Sequence, residues 1–238
     1  MIEYRFIYKG ILVGYYPAIE DTEKNIIVCQ GMPEYISSKH AFISDLLSLG
    51  YNVFVPRYYG SWESDGDFSP DTSRDTIAQI IDFVRQGKGV SRYDGSLISW
   101  KINSVILLGF SYGATFATEL VAKVDFVLLV APYFPIGNTL MKSIDQEVDF
   151  VRKGFKNVYR INIDNMKFKK QFVQNAKISS NNKKISNLTI LYGDNDPINN
   201  EELIEFLNNI SPNVTGLPFG HTLNIGKENY EKFLSQNR

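Results

Sequence analysis

Five short stretches decide the class of fold open to this chain: NIIVCQ (25–30), YNVFVP (51–56), SVILLG (104–109), FVLLVA (126–131) and LTILYG (188–193). Each has the length of a strand rather than a helix, and its apolar residues run almost uninterrupted. A strand without polar and apolar alternation needs cover on both faces, as in a parallel sheet between two helical layers. The intervening segments supply that cover. Ser37 to Leu49 carries Phe42, Leu46, Leu47 and Leu49 at helical spacing before Gly50, and Thr72 to Val84 carries Ile77, Ile80, Ile81 and Val84. Further helices are expected at Tyr112 to Lys123, Asn200 to Asn209 and Asn224 to Ser235. The alternation predicts an α/β fold with a mostly parallel central sheet and helices on both faces. At the N-terminus, IEYRFIY and ILVGYY flank Lys9-Gly10 and read as a β-hairpin, so the sheet starts antiparallel.

Residues 134–184 break the rhythm. They show no clear strand and have helical character near 140–153 and 165–176. The simplest organisation is one core domain, 1–133 with 185–238, carrying a helical cap insertion at 134–184. Residues 140–184 hold eleven Lys or Arg against four Asp or Glu, a local charge of +7 that leaves −8 for the rest of a chain with net charge −1. A solvated face explains such a segment, and attraction of an acidic substrate or partner is the alternative. The near-neutral total gives no general attraction to nucleic acid or to an anionic membrane, and neither is expected as a partner. Cys29 is the one cysteine, so no internal disulfide can form. The N-terminal stretch alternates polar and apolar residues rather than following a basic patch with an apolar run, and a cytoplasmic location is expected.

The chemistry centres on Gly109-Phe110-Ser111-Tyr112-Gly113, a G-x-S-x-G pattern lying where a strand should give way to a helix. Three fixed positions are a short pattern, so its surroundings must decide what it means. A serine hydroxyl is a weak nucleophile until a base removes its proton, and an imidazole base works best when a carboxylate fixes its tautomer and stabilises its cationic form. Only two histidines are available. His40 falls within or at the start of an early helix, whereas His221, in FGHTL, follows the expected last strand VTGLPF and precedes the final helix. For the acid, LYGDNDP places Asp194 and Asp196 directly after an apolar strand. Either could serve only as a turn residue, yet the chain order serine, aspartate, histidine is the one a nucleophile elbow on such a sheet requires. Gly109 and Gly113 would relieve crowding in the turn. Acyl transfer also needs donors for an oxyanion. Tyr112 supplies one backbone amide by position, and Gln30-Gly31-Met32-Pro33 offers the Met32 amide as the second, with Gly31 expected to permit an unusual backbone angle.

With these residues in place the sequence resembles the α/β-hydrolase superfamily over nearly its full length. Gly193-Asp194-Asn195-Asp196 is similar to the family's G-x-x-D acid motif, which favours Asp196, and Gly220-His221 is similar to its histidine loop. The stretch Arg57 to Phe68 resembles the R-G-x-G-x-S-x-G loop of single-domain relatives of serine aminopeptidases, acylaminoacyl-peptidases and small esterases. Many relatives carry His-Gly at the oxyanion loop where this chain has Gln30-Gly31, and the Glu pair with which peptidase relatives bind a free N-terminus has no counterpart here. The resemblance implies an α/β-hydrolase fold and a serine hydrolase of a small-molecule ester, thioester or amide, with Ser111, Asp196 and His221 catalytic. No metal and no organic cofactor is implied. Tyr35, Tyr58, Tyr59, Trp62 and Phe134 are candidates to line the acyl pocket. The competing expectations are a peptidase of short or acylated peptides and a non-catalytic ligand-binding protein on the same fold.

Overall fold

The computed structural model describes residues 1–33, 40–176 and 184–235. Strands β1 (Tyr4–Tyr8) and β2 (Ile11–Tyr16) form the expected hairpin, turning through Lys9 (φ 49°) and Gly10 (φ 80°). Both turn residues occupy the left-handed region, which matches the twist of the strands they join. The apolar runs become β3 (Lys24–Cys29), β4 (Asn52–Pro56), β7 (Ser104–Ser111), β8 (Phe126–Pro132) and β9 (Leu188–Gly193), and β10 (Asn213–Leu217) closes the far edge. The eight-stranded sheet has the order β1-β2-β4-β3-β7-β8-β9-β10. Its β1-β2 and β2-β4 pairs are antiparallel and all its other pairs are parallel.

One face of the sheet packs on α2 (Pro70–Val84) and α3 (Tyr112–Glu119), the other on α1 (His40–Ser48) and α7 (Lys227–Leu234), while α6 (Glu201–Ile210) follows β9. Helix α2 starts earlier than its apolar spacing suggests. Ser69 accepts a hydrogen bond from the Thr72 amide, the Thr72 hydroxyl accepts one from the Ser69 amide, and Pro70 takes the first helical position. This capping box satisfies amides that would otherwise lack partners. Helix α3 is shorter than expected, ending at Glu119 before a single 3-10 turn at Val121–Lys123. The hairpin of β5 (Lys88–Val90) with β6 (Leu97–Ser99) is absent from the sequence-based expectation, because three-residue strands are too short to show alternation.

Between β8 and β9 stand two helices, α4 (Gly137–Gly154) and α5 (Asn165–Asn175). Helix α5 packs on the α2–α3 face through Phe168 and Phe172, which lie against Tyr112, and α4 packs against α5. The segment between them is stitched to the loop after β4. Ser61 bridges Tyr159, Trp62 donates its amide to the Val158 carbonyl (2.8 Å), and Phe68 donates to the Arg160 carbonyl (2.8 Å). The Arg160 guanidinium donates to the carbonyls of Trp62 (3.1 Å), Gly66 (3.0 Å) and Ser64.

Cys29 ends β3 with no exposed surface, and burial pushes its thiol well above the ordinary range because a thiolate would be desolvated there. Ellman's reagent is therefore expected to titrate no thiol in the native protein even at pH about 9, where an exposed cysteine is largely ionised. One thiol per chain should appear on unfolding in denaturant. Rapid modification of the native protein would contradict this burial.

Candidate active site

The site is built where β3, β7, β8 and β9 deliver their C-terminal ends. Strand β7 pairs with β3 as far as Gly109 and with β8 through Phe110, and the register with β8 shifts at Ser111. There the chain turns sharply into α3, and Ser111 takes φ 50° and ψ −123°. A non-glycine residue in this region is strained, at a cost of order 1–3 kcal/mol. The neighbouring glycines make the turn possible by having no side chain. A Cβ on Gly113 would lie 2.2 Å from the Cys29 carbonyl oxygen, and one on Gly109 would lie 2.7 Å from Leu129 and 2.9 Å from Ala117. Helix α3 thus lies directly against the end of β3.

Asp196 and His221 are brought together because hydrogen bonding between β9 and β10 continues into the loops beyond them. Asp194 donates its amide to the Leu217 carbonyl (2.8 Å) and Asn195 to that of Phe219 (3.1 Å). Gly193 permits the approach, since a Cβ there would sit 2.2 Å from the Phe219 carbonyl oxygen. Asp196 is then drawn inward: its amide donates to the Gly193 carbonyl (3.0 Å), and its Oδ1 accepts from the Ile198 amide (2.9 Å). Its Oδ2 lies 2.7 Å from Nδ1 of His221, whose Nε2 lies 2.8 Å from Oγ of Ser111. Of the two candidate acids, Asp194 is exposed and makes no such contact, so the structure brings Asp196 alone to the histidine. The Asp196 side chain is 1 % exposed against 26 % for His221, so the carboxylate is screened from water while the imidazole keeps an open edge. The ring of Phe110 packs 5.0 Å from that of His221.

Gln30 and Gly31, in the loop after β3, have a visible structural role. The Gln30 side-chain amide donates to the Pro56 carbonyl, and the Tyr58 hydroxyl donates to the Gln30 carbonyl (2.8 Å), which ties the loop after β3 to the loop after β4. Gly31 does not adopt a positive φ, contrary to expectation. Its need is for space, since a Cβ would lie 3.0 Å from the Phe110 ring and 3.3 Å from Cβ of Ser111. Met32, next in the chain, lines the cavity that opens onto Ser111. Tyr112 opens α3, where the first-turn amides lack intrahelical partners. Its hydroxyl is hydrogen-bonded to Ser73 Oγ (3.0 Å), and burial raises its pKa well above the usual value.

The cavity has a volume of about 370 Å³ and reaches Ser111 and His221. Its walls are mostly apolar, with Leu140 and Ile144 from α4, Phe168 and Phe172 from α5, and Tyr133 from the end of β8. None of Tyr58, Tyr59, Trp62 and Phe134 lines it, which corrects the aromatic lining expected from the sequence. Tyr58 is buried with its edge against Phe68 and Tyr112 and its hydroxyl on Gln30. Tyr59 reaches away to the Lys9 carbonyl (2.9 Å), and Trp62 stacks against Arg57, with 5.8 Å from guanidinium carbon to ring centroid. Phe134 is wholly buried against Phe206 (5.0 Å). Tyr133 takes the place expected of Phe134: its amide donates to the Ser111 carbonyl (3.1 Å) and its ring stacks on Phe172 (5.8 Å). Tyr35 lies outside the described residues. The wall residues on α4 and α5 carry a signal in the sequence, four-residue spacing at Leu140/Ile144 and at Phe168/Phe172, but periodicity alone does not say which apolar face meets a cavity.

Comparison with known proteins places this architecture. Residues 30–175 match the model of the alpha/beta hydrolase family. The chain belongs to that family. Among solved structures, an alpha-beta serine hydrolase homologue from Coxiella burnetii is 16% identical, with 100% of this chain and 98% of that chain covered and a TM-score of 0.60. Est1E from Butyrivibrio proteoclasticus, with ferulic acid bound, is 15% identical over 98% of each chain (TM-score 0.62). DcsB, in complex with its substrate analogue, is 14% identical over 99% of this chain and 98% of its own (TM-score 0.69). At these identities the likeness is one of fold. A search of curated proteins finds no match. Among the described residues of this alpha/beta hydrolase, no helix is long and apolar enough to cross a membrane, and no group of three or more His, Cys, Asp or Glu could hold a metal ion.

Proposed function

We propose that this alpha/beta hydrolase is a serine hydrolase that cleaves an ester, thioester or amide of a small molecule through an acyl-enzyme. The observation that carries the reading is the unbroken chain Ser111 Oγ, His221 Nε2, His221 Nδ1, Asp196 Oδ2, with both hydrogen bonds at 2.7–2.8 Å and each residue on a different loop. A structural histidine needs no serine in a strained turn at its second nitrogen. In the reaction His221 Nε2 takes the Ser111 proton as Oγ attacks the acyl carbon, while Asp196 holds the Nδ1–H tautomer and stabilises the imidazolium. The tetrahedral oxyanion is received by the Met32 and Tyr112 amides, the latter at the positive end of α3. Collapse expels the leaving group with the proton from His221. Water activated by the same imidazole then releases the acid. The cavity is of a size for a small-molecule ligand, and we read residues 134–184 as the cap that completes it.

A fluorophosphonate probe tests the reading directly. It is expected to label the wild-type protein stoichiometrically and to leave Ser111→Ala unlabelled, with matching gain and loss of hydrolysis across a panel of p-nitrophenyl esters. Absence of labelling in folded wild type would overturn it.

A further inference from the structure

The charge of the segment between β8 and β9 is distributed in a way its sequence alone does not show. Residues 140–184 hold eleven cations and four acids. Three of those acids have structural work. Asp145 pairs with Lys169 (3.0 Å), Asp149 pairs with Arg152 (3.1 Å) and accepts from Asn165 (3.0 Å), and Asp164 caps α5 by accepting from the Lys167 amide (2.7 Å). The fourth, Glu147, forms no ion pair or hydrogen bond among the described residues, and the positions three and four away on α4 are Ser143, Ile144, Phe150 and Val151, none of them cationic. Among the described residues Glu147 is also the one acid that lines the Ser111 cavity, and no lysine or arginine among them does. Among its described residues, a segment rich in positive charge therefore lines the cavity with no cation and presents there a carboxylate without an ion pair.

Helical geometry strengthens the point. Leu140, Ile144 and Glu147 fall at i, i+4 and i+7, so they form one stripe of α4 about 10 Å long, apolar for its first turn and anionic at its end. Glu147 is exposed, which puts it at the mouth. Its field reaches the wall: the Tyr133 phenol, which donates to the Leu140 carbonyl (2.9 Å), has its pKa raised mainly by burial and further by the charge of Glu147.

Resting on the hydrolase reading above, we propose that Glu147 is a specificity residue for a cationic substrate: an apolar body held between Leu140, Ile144 and Phe172, with a protonated amine on the Glu147 carboxylate. A carboxylate facing a cavity with no counter-ion favours a cation, disfavours an anion, and gives a charge-assisted hydrogen bond to an ammonium group. This is the opposite of the alternative reading of the insertion's charge, in which its basic residues would draw in an acidic substrate, and it leaves the solvated-face reading of those residues in place.

The test is calorimetric and needs no turnover. Phenethylammonium and phenethyl alcohol, matched in shape and differing in charge, are titrated into wild type, Glu147→Gln and Glu147→Lys. Wild type is expected to bind the ammonium about 10-fold more tightly than the alcohol at low ionic strength, with the preference shrinking as salt is raised. Glu147→Gln should remove the preference and Glu147→Lys should reverse it, while circular dichroism shows both variants folded. The proposal is overturned if wild type binds neither probe, if it binds the two equally, or if Glu147→Gln retains the preference. Fluorophosphonate labelling run on the same samples separates the two readings: loss of labelling with the ammonium preference intact would remove the hydrolase mechanism and leave Glu147 as a cation site.

Discussion

His221→Ala is expected to lower kcat for ester hydrolysis by about a millionfold, and Asp196→Asn by about ten-thousandfold, with KM little changed in either. The two losses differ because the groups do different things. Removing the imidazole leaves Ser111 Oγ without a proton acceptor 2.8 Å away. An asparagine would keep the shape of the Asp196 site but can present its NH₂ group to His221 Nδ1, which holds the ring in the tautomer that cannot accept the serine proton. The sharper expectation concerns the combination. If the three side chains act as one unit, Ser111→Ala/His221→Ala loses no more than either single variant, because the residual rate comes from the oxyanion donors and binding alone. Single-turnover kinetics with a p-nitrophenyl ester measure His221→Ala, Asp196→Asn, Ser111→Ala and the double variant. Additive losses would mean that the hydrogen-bonded chain is not the catalytic unit.

Gly113→Ala should be damaging in a different way. The new methyl would lie 2.2 Å from the Cys29 carbonyl oxygen and 2.5 Å from that of Gln30, and both obstacles are backbone, so no side chain can swing aside. Either α3 lifts off β3 or the loop after β3 moves, and each displaces Ser111 relative to Met32. Overpacking of this kind costs about 3 kcal/mol, which for a chain of this size lowers Tm by about 6–12 °C. Hydrolysis should fall well below wild type even where the variant remains folded, since a displacement of about 1 Å in catalytic geometry costs on the order of a hundredfold. Gly154→Ala is the matched control. It ends α4 with nothing within 4 Å of the added carbon, and its Tm is expected to stay level or rise slightly. Equal melting of the two variants would remove the steric argument for Gly113.

The parts of this molecule legible in its sequence are those governed by short-range rules. The buried strands announced themselves because β3, β4, β7, β8 and β9 need apolar residues on both faces, and Ser111, Asp196 and His221 followed from their places at strand ends. What was not legible depends on contacts between distant segments. Phe134 is the expected wall residue, yet its neighbour Tyr133, whose amide is hydrogen-bonded to the Ser111 carbonyl, faces the cavity while Phe134 packs on Phe206. Tyr58, Tyr59 and Trp62 lie in a loop near the site in sequence terms, yet pairing with residues 158–160 and contacts with Gln30, Lys9 and Arg57 turn all three elsewhere. For Gly31 the sequence suggests an unusual backbone angle, whereas its role is to leave room for Phe110 and Ser111. In each case the residue type was informative and its direction was not.

Ser111 holds its backbone at φ 50° and ψ −123°. Nothing in the sheet demands that a residue with a side chain occupy that turn, and a glycine there would adopt the same angles with less strain. The framework therefore forgoes about 1–3 kcal/mol of stability at this one position, a sizeable share of the 5–15 kcal/mol by which folded domains typically exceed their unfolded chains. Selection for thermal endurance alone would tend to erase the hydroxyl, so resistance to heat and the capacity to react pull this residue in opposite directions.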